Sequence, residues 1–575
     1  MNDAFAWGPV PGAGAGTTRF RLWAPRLDRL DLMLDGRAHP MIAGDDGWWS
    51  AEAAAGPGTP YAFRLPDGLT VPDPASRRQR GDVHGPSLVP DDAYDWRHEG
   101  PRRPWHEAVI CELHVGTFTP EGTYLAAADK MPLLAEAGYT AIELLPLAQF
   151  GGTRGWGYDG VLPYCPHGAY GTPDDLRALV DAAHEVGLMV LLDVVYNHFG
   201  PDGNYLHAYA PDFFDPGRQT PWGAGIDYAR APVRRFFVEN ALYWLDAFRL
   251  DGFRFDAIDQ IRDPSEPELL VEMACAIRAR RPDAWLATED NRNITRLHER
   301  EGGATPLMDG EWNDDWHNAA HVVLTGETEG YYDAFAEDPL AKLTRASAEG
   351  FAHQGEGGWG VPSGHLPPAA FVDFLQNHDQ IGNRARGERL TALARPEALA
   401  ALQAILLLSP HVPLLFMGDE WGDDTPFLFF ADFDGDLGRA VTEGRRREFA
   451  TFEGFAAADV PDPVDPETFA ASRLDWAVRD GARGRAALAR TRDLLDLRRR
   501  HVVPHLGGAG PGSGAILSTP TGGMAVDWRL DGAVLRLRAN LSDRAIDLPP
   551  ADGTAIHLTG TSVGAPWSAM MAIER

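Results

Sequence analysis

Residues 172–198 read TPDDLRALVDAAHEVGLMVLLDVVYNH, and they spell a helix, a turn and a strand in that order. Thr172 is a good N-cap, Pro173 suits the first helical position, and Asp174 and Asp175 face the positive end of the helix dipole. Gly187 stands where a helix closes on a glycine. The run Leu188–Val195 that follows is almost continuously apolar, as parallel strands buried on both faces are. A helix that feeds directly into such a strand is one half of a βα repeat.

The same rhythm extends outward from Ala108. Thr123, Asp129 and Gly138 frame a helix before the apolar run Ala141–Leu147, and apolar runs end near Phe118, Leu147, His198, Asp256, Glu289, Trp312, Asp379 and Glu420. Eight βα repeats predict a closed (β/α)8 barrel of the TIM type rather than an open sheet. A helix over Arg490–Arg500 closes it. Residues 1–100 differ: short alternating runs at Arg19–Trp23, Leu30–Leu34 and Tyr61–Arg64, split by turn residues, predict a β-sandwich followed by a Pro-rich linker. After the Gly-rich stretch Gly507–Gly514, alternating segments such as Ala533–Asn540 predict a small C-terminal β-domain. The expected division is therefore 1–100, 101–502 and 503–575.

Composition narrows the partners. A net charge of −31 repels nucleic acid and anionic membrane surfaces but leaves a neutral substrate unaffected. Cys111, Cys165 and Cys275 form neither a disulfide framework nor a CxxC site, and Cys111 and Cys275, set in apolar segments, read as buried thiols. The N-terminal residues show no secretory pattern. The greasiest segment, Ala398–Met417, is broken by Pro410 and Pro413 and reads as a buried helix and strand, not a membrane span. A soluble cytoplasmic protein is expected, as a monomer.

The chemistry gathers just past the strand ends. In Asp251–Ile258 (DGFRFDAI), period-2 alternation puts Arg254 and Asp256 on one face and Phe253, Phe255 and Ala257 on the other. A guanidinium beside a carboxylate favours its ionised form, as a nucleophile toward a sugar carbon requires; the pair also reads as an ordinary buried ion pair. Trp285–Asp290 (WLATED) brings Glu289, whose apolar lead-in favours retention of a proton. Two carboxylates of opposite protonation state are the machinery of glycoside hydrolysis. Asp290 alongside leaves the identity of the acid open at this point. Asp193–His198 (DVVYNH) and Gln376–Asp379 (QNHD) add groups suited to sugar hydroxyls. Tyr158 and Trp222 sit in Gly-rich loops where aromatic faces can stack on glucose, with Asp159 beside Tyr158. Trp156 reads as core, and Trp48 and Trp49 read as core with a sugar platform as the alternative. No HxH, HExxH or CxxC spacing, GxSxG elbow, phosphate loop or dinucleotide fingerprint is present, so neither a metal nor a cofactor is expected, although a structural Ca²⁺ near Asn197 is left open.

The blocks DVVYNH, GFRFD, Glu289 and NHD (377–379), with VPLLFMGDE (412–420), resemble the signature regions of the α-amylase superfamily of glycoside hydrolases across residues 108–502. The resemblance implies Asp256 as nucleophile, Glu289 as general acid/base and Asp379 as the carboxylate that grips the distorted ring. It further implies that Arg254 orients Asp256, that His198 and His378 bind the −1 glucose with Tyr158 stacked under it, and that Asp193 is structural. Asp159 and Trp222 complete the expected sugar-binding set. EWNDDWHNAAHVVLTGETEGYY (311–332), QNHDQIGNR (376–384), MGDEWGDDTPFLFF (417–430) and FRLWAP (20–25) are most similar to the maltooligosyltrehalose trehalohydrolase family. That implies hydrolysis of the α-1,4 bond next to a terminal trehalose unit, with maltooligosyltrehalose or a related α-glucan as substrate. A glycogen-branching or debranching enzyme is the alternative within the superfamily.

Overall fold

The computed structural model describes residues 5–449 and 460–575. Near the N-terminus, one sheet runs in the order Val10–Pro11, Thr17–Trp23, Trp48–Ala54, Ile42–Ala43, and a second pairs Arg37–Pro40, Asp31–Leu34, Pro60–Arg64 and Thr70–Val71. Alternation turns Phe20 and Leu22 inward from the first sheet, and Tyr61 and Phe63 are buried in the second; the rings of Phe20 and Tyr61 meet at 4.7 Å. Trp48 and Trp49 are packing residues: Trp49 donates its indole N–H to the Ala24 carbonyl, and Trp48 meets Trp7 edge-on at 4.9 Å.

Eight parallel strands close the barrel in chain order: Ile110–Leu113, Ala141–Leu144, Met189–Val194, Gly252–Phe255, Trp285–Thr288, Gly310–Trp312, Phe371–Phe374 and Val412–Phe416, the last pairing back with the first. Ile110, Leu191, Ala287, Val372 and Leu414 pack together in its core. The first strand stops at Leu113, not Phe118. The amides of Thr117 and Phe118 fold back onto the His114 carbonyl at 3.1 and 2.9 Å, so Val115–Phe118 is a helical turn. Several other strands also end short of their motifs, which places DVVYNH, QNHD and MGDE largely on the loops above the barrel.

The helix start at Thr172 is a capping box, with Thr172 and Asp175 each accepting from the other's amide; the helix spans Pro173–Glu185 and Gly187 follows with φ +79. The segment framed by Thr123 and Gly138 forms two helices, Tyr124–Ala128 and Met131–Ala137, because Pro132 has no N–H to carry one ladder across. Pro396–Leu408 and Val412–Phe416 form the expected buried helix and strand, and among the described residues no helix is long and apolar enough to cross a membrane. Cys111 and Cys165 are buried, but Cys275 is exposed: helix Leu269–Arg280 turns Leu270, Met273, Ala274 and Ile277 inward, which leaves Cys275 on the opposite face. The last long helix, Ala482–His501, anchors to the barrel through buried Arg498, which donates to the carbonyls of Ser409 and His411. A five-stranded antiparallel sheet from Gly514 to Glu574, including Ala533–Asn540, completes the chain.

Candidate active site

The fourth strand begins at Gly252, where a Cβ would lie 1.9 Å from the Trp285 carbonyl; only glycine allows the two strands this approach. Two residues on, Arg254 is 1% exposed and lies over the Trp312 ring at 4.2 Å. Its guanidinium reaches three carboxylates: Nη1 donates to Asp193 Oδ2 at 2.6 Å and to Asp256 Oδ1 at 2.9 Å, and Nη2 lies 2.7 Å from Glu289 Oε2. Asp256 and Glu289 stand one residue past the ends of adjacent strands, so one side chain holds both. Asn197 Nδ2 takes the other oxygen of Asp256 at 2.9 Å. Ala257 does not continue the alternation of the strand; it turns into the left-handed region with φ +40 and donates its amide to Glu289 Oε2 at 2.9 Å.

Burial pushes Glu289 up to about 7; Arg254 opposes the shift, and the charges of Asp256 and Asp379 add to it. Burial also raises Asp256, to about 6, against the pull of Arg254. The proximity of Arg254 therefore does not depress the Asp256 carboxyl as the sequence pairing suggests, because one guanidinium is shared among three acids in a dry site. Glu289 remains the better proton holder. Asp290 forms an ion pair with Arg292 and is not among the carboxylates that Arg254 holds.

Asp379 is the second residue of the short helix His378–Gly382, capped by Asn377, and accepts from Asn383 Nδ2 at 2.8 Å. His378 forms a buried ion pair with Glu112 from the first strand, whose carboxylate also accepts the His378 amide at 3.1 Å. Burial opposes charging of this imidazole, yet Glu112 and Asp379 drive it up to about 9. Tyr158 stacks on His378 at 5.1 Å and 19°, and its hydroxyl donates to Asp193 at 2.6 Å. Asp159 follows in the same loop, raised by burial to about 6. His198 is neutral near pH 7, lowered by burial to about 4, and stacks at 4.3 Å on Trp222, which is 45% exposed. Trp156 is structural, its indole N–H bound to the Leu428 carbonyl.

The sequence reading omitted Glu112, Asn197 as a partner of Asp256, and Asp314. Asp314, at the start of helix Asp314–Thr325, is raised well above the usual range by burial and by the charges of Glu289 and Asp379. Asn197 spends its amide nitrogen on Asp256 and its oxygen on His198, and among the described residues no group of three or more His, Cys, Asp and Glu side chains is disposed to hold a metal ion.

Residues 99–212 match the model of the alpha amylase catalytic domain, and residues 511–572 match a domain of unknown function. A Malto-oligosyltrehalose trehalohydrolase of Deinococcus radiodurans is 45% identical over 86% of this chain and 83% of its own length, and one of a Rhizobium species is 39% identical over 97% and 95%. A crystal structure from Salmonella typhimurium, of a protein assigned provisionally to the alpha amylases, superposes with a TM-score of 0.96 at 52% identity, covering 99% of this chain and 100% of that one. With these relatives and the closed barrel together, the chain belongs to the malto-oligosyltrehalose trehalohydrolase family of the α-amylase superfamily.

Proposed function

We propose that the protein is a retaining glycoside hydrolase that cleaves the α-1,4 bond next to the terminal trehalose of maltooligosyltrehalose, releasing trehalose and a maltooligosaccharide. The observation that carries this reading is the shared guanidinium: Arg254 holds Asp256 and Glu289 side by side, one through each terminal nitrogen. A double-displacement mechanism needs its two carboxyl groups about 5–5.5 Å apart, a spacing that a shared guanidinium favours.

Glu289 gives its proton to the glycosidic oxygen as Asp256 attacks the anomeric carbon, and trehalose leaves. A water molecule, activated by the now ionised Glu289, then releases the maltooligosaccharide from Asp256 and returns the proton. Asp379 accepts hydrogen bonds from the hydroxyls of the flattened ring. The charged imidazole of His378 donates to the same sugar, and the neutral one of His198, both of whose ring nitrogens face protein oxygens, lines the pocket beside Tyr158 and Trp222, with Asp159 at the rim. The names of the relatives support trehalose as the leaving group.

The division into units 1–100, 101–502 and 503–575 is part of this proposal, supported by the strand and helix ranges on either side of those bounds. Cytoplasmic location and a monomeric state rest on the sequence reading alone.

Incubation with maltoheptaose and, separately, with its trehalose-terminated counterpart tests the reading. Rapid release of trehalose from the second with slow attack on the first supports it, and loss of turnover in Asp256→Ala and Glu289→Gln supports the two roles. New α-1,6 branches, or hydrolysis without trehalose, would transfer the function to a branching or debranching enzyme. Full activity in either variant would overturn the site.

A further inference from the structure

Glu143 lies in the second barrel strand and Glu112 is its register partner on the first; Asp193 and Arg254 are paired in register on the third and fourth. Parallel neighbours in register point to the same side of a sheet, so these side chains form a polar layer inside the barrel, beneath the catalytic carboxylates. Glu143 is 1% exposed, and neither of its oxygens has a hydrogen-bond partner. Asp193 Oδ1 and Arg254 Nε, whose charges act on it, share that condition, and so does Trp312 Nε1 in the ring under the Arg254 guanidinium. Buried polar atoms are rarely left unpaired, and water is the usual partner. The set contains both donors and acceptors. An anion would face the oxygens of Glu143 and Asp193, and a cation would face Arg254. Water alone satisfies both kinds.

Charge limits the state of Glu143. Arg254 is already shared among Asp193, Asp256 and Glu289 and the His378 charge is taken by Glu112, so an ionised Glu143 in the same buried layer has no counter-charge left. Burial, then the charge of Asp193, raises the Glu143 carboxyl well above the usual range.

We propose that Glu143 is a neutral carboxylic acid that, through buried water, fixes Asp193 and Arg254 in the position from which Arg254 presents Asp256 and Glu289. It is a positioning residue, and the proposal does not depend on which glucan is cleaved.

The test uses turnover of maltoheptaose or its trehalose-terminated form, whichever the enzyme cleaves, so failure of the trehalose assignment leaves it intact. Glu143→Gln, a neutral isostere, should keep kcat within about 3-fold and leave the pH profile unmoved, whereas Glu143→Leu, which strands Asp193 Oδ1 and Arg254 Nε, should lower kcat about 10-fold or more at similar KM. Infrared difference spectra of wild type against Glu143→Gln at about pH 8 should show a protonated carboxyl band, and a crystal structure should show water bridging Glu143 to Asp193 or Arg254. A carboxylate band in its place, a dry layer, or a Glu143→Gln variant as impaired as Glu143→Leu overturns the proposal. If Glu143→Leu does not fold, the spectrum and the crystal structure still decide.

Discussion

The amide of Ala257 donates to Glu289 Oε2 at 2.9 Å, so the residue that follows the proposed nucleophile holds the proposed acid. The contact depends on a left-handed backbone, φ +40, which side chains with a Cβ disfavour.

Ala257→Val places a β-branched residue in that conformation and should destabilise the protein by about 1–3 kcal/mol. Since the amide moves with it, kcat should fall about 10-fold or more. Thermal unfolding and the rate of sugar release read the two effects. A Val variant with wild-type values would show that the left-handed turn has no part in placing Glu289.

The pH profile of kcat/KM should be a narrow bell. Asp256 must be ionised, so activity rises as pH passes its raised value of about 6; Glu289 must be protonated, so activity falls as pH passes about 7. The two carboxyls interact, and the limbs belong to the pair. Residual activity in Glu289→Gln should lose the alkaline limb; if that limb stayed in place, another group would be the acid.

Cleavage should retain configuration. Asp256 and Glu289 share one guanidinium, which suits the about 5–5.5 Å spacing of retention rather than the about 6.5–9.5 Å by which inversion makes room for a water. Proton NMR of the first product formed should show the α-anomer, and a β-anomer would exclude a covalent intermediate on Asp256.

The Glu112–His378 pair should make stability depend on pH. His378 rises from an ordinary 6.5 to about 9 in the folded state. That contribution is complete below about pH 6.5 and is lost as pH rises through about 9; at most it amounts to about 3 kcal/mol. Glu112→Gln should therefore lower the melting temperature strongly at pH 6 and much less at pH 9.5. An equal loss at both would mean that the pair stabilises without charge.

Trp222 lies flat on His198 with 45% of its surface exposed, an arrangement that leaves one face free for a sugar. Trp222→Ala should raise KM about 3–10-fold, the worth of one stacking contact, with a smaller change in kcat. A kcat effect larger than the KM effect would mean that Trp222 instead holds His198 in place.

The barrel was legible because eight apolar runs recur with capped helices between them, and Asp256, Glu289 and Asp379 stood out because each follows such a run. Exact strand ends were less so: His114 turns the chain at Leu113 by bonding Thr117 and the Gly155 carbonyl, and a contact with residue 155 leaves no local trace at 114. Glu112 and Glu143 were passed over for a related reason. Each is a single carboxylate within an apolar strand, and only the cross-barrel register shows that they face inward together beneath the site. Cys275 was misplaced because Leu269–Arg280 is apolar enough all round to hide which face is wet.

Glu112 and His378 are 266 positions apart in the chain, and strand Ile110–Leu113 must wait for Val412–Phe416 before the ring is complete. At about 5–20 residues per second, synthesis of the stretch between those strands takes roughly 15–60 s. Asp256 and Glu289 leave the ribosome well before His378, Asp379 and the strand that closes the ring. Competence thus arrives late and all at once, when the final strand docks, and a chain stopped short of residue 412 carries both carboxylates yet is inert, an outcome that a truncation series reads directly.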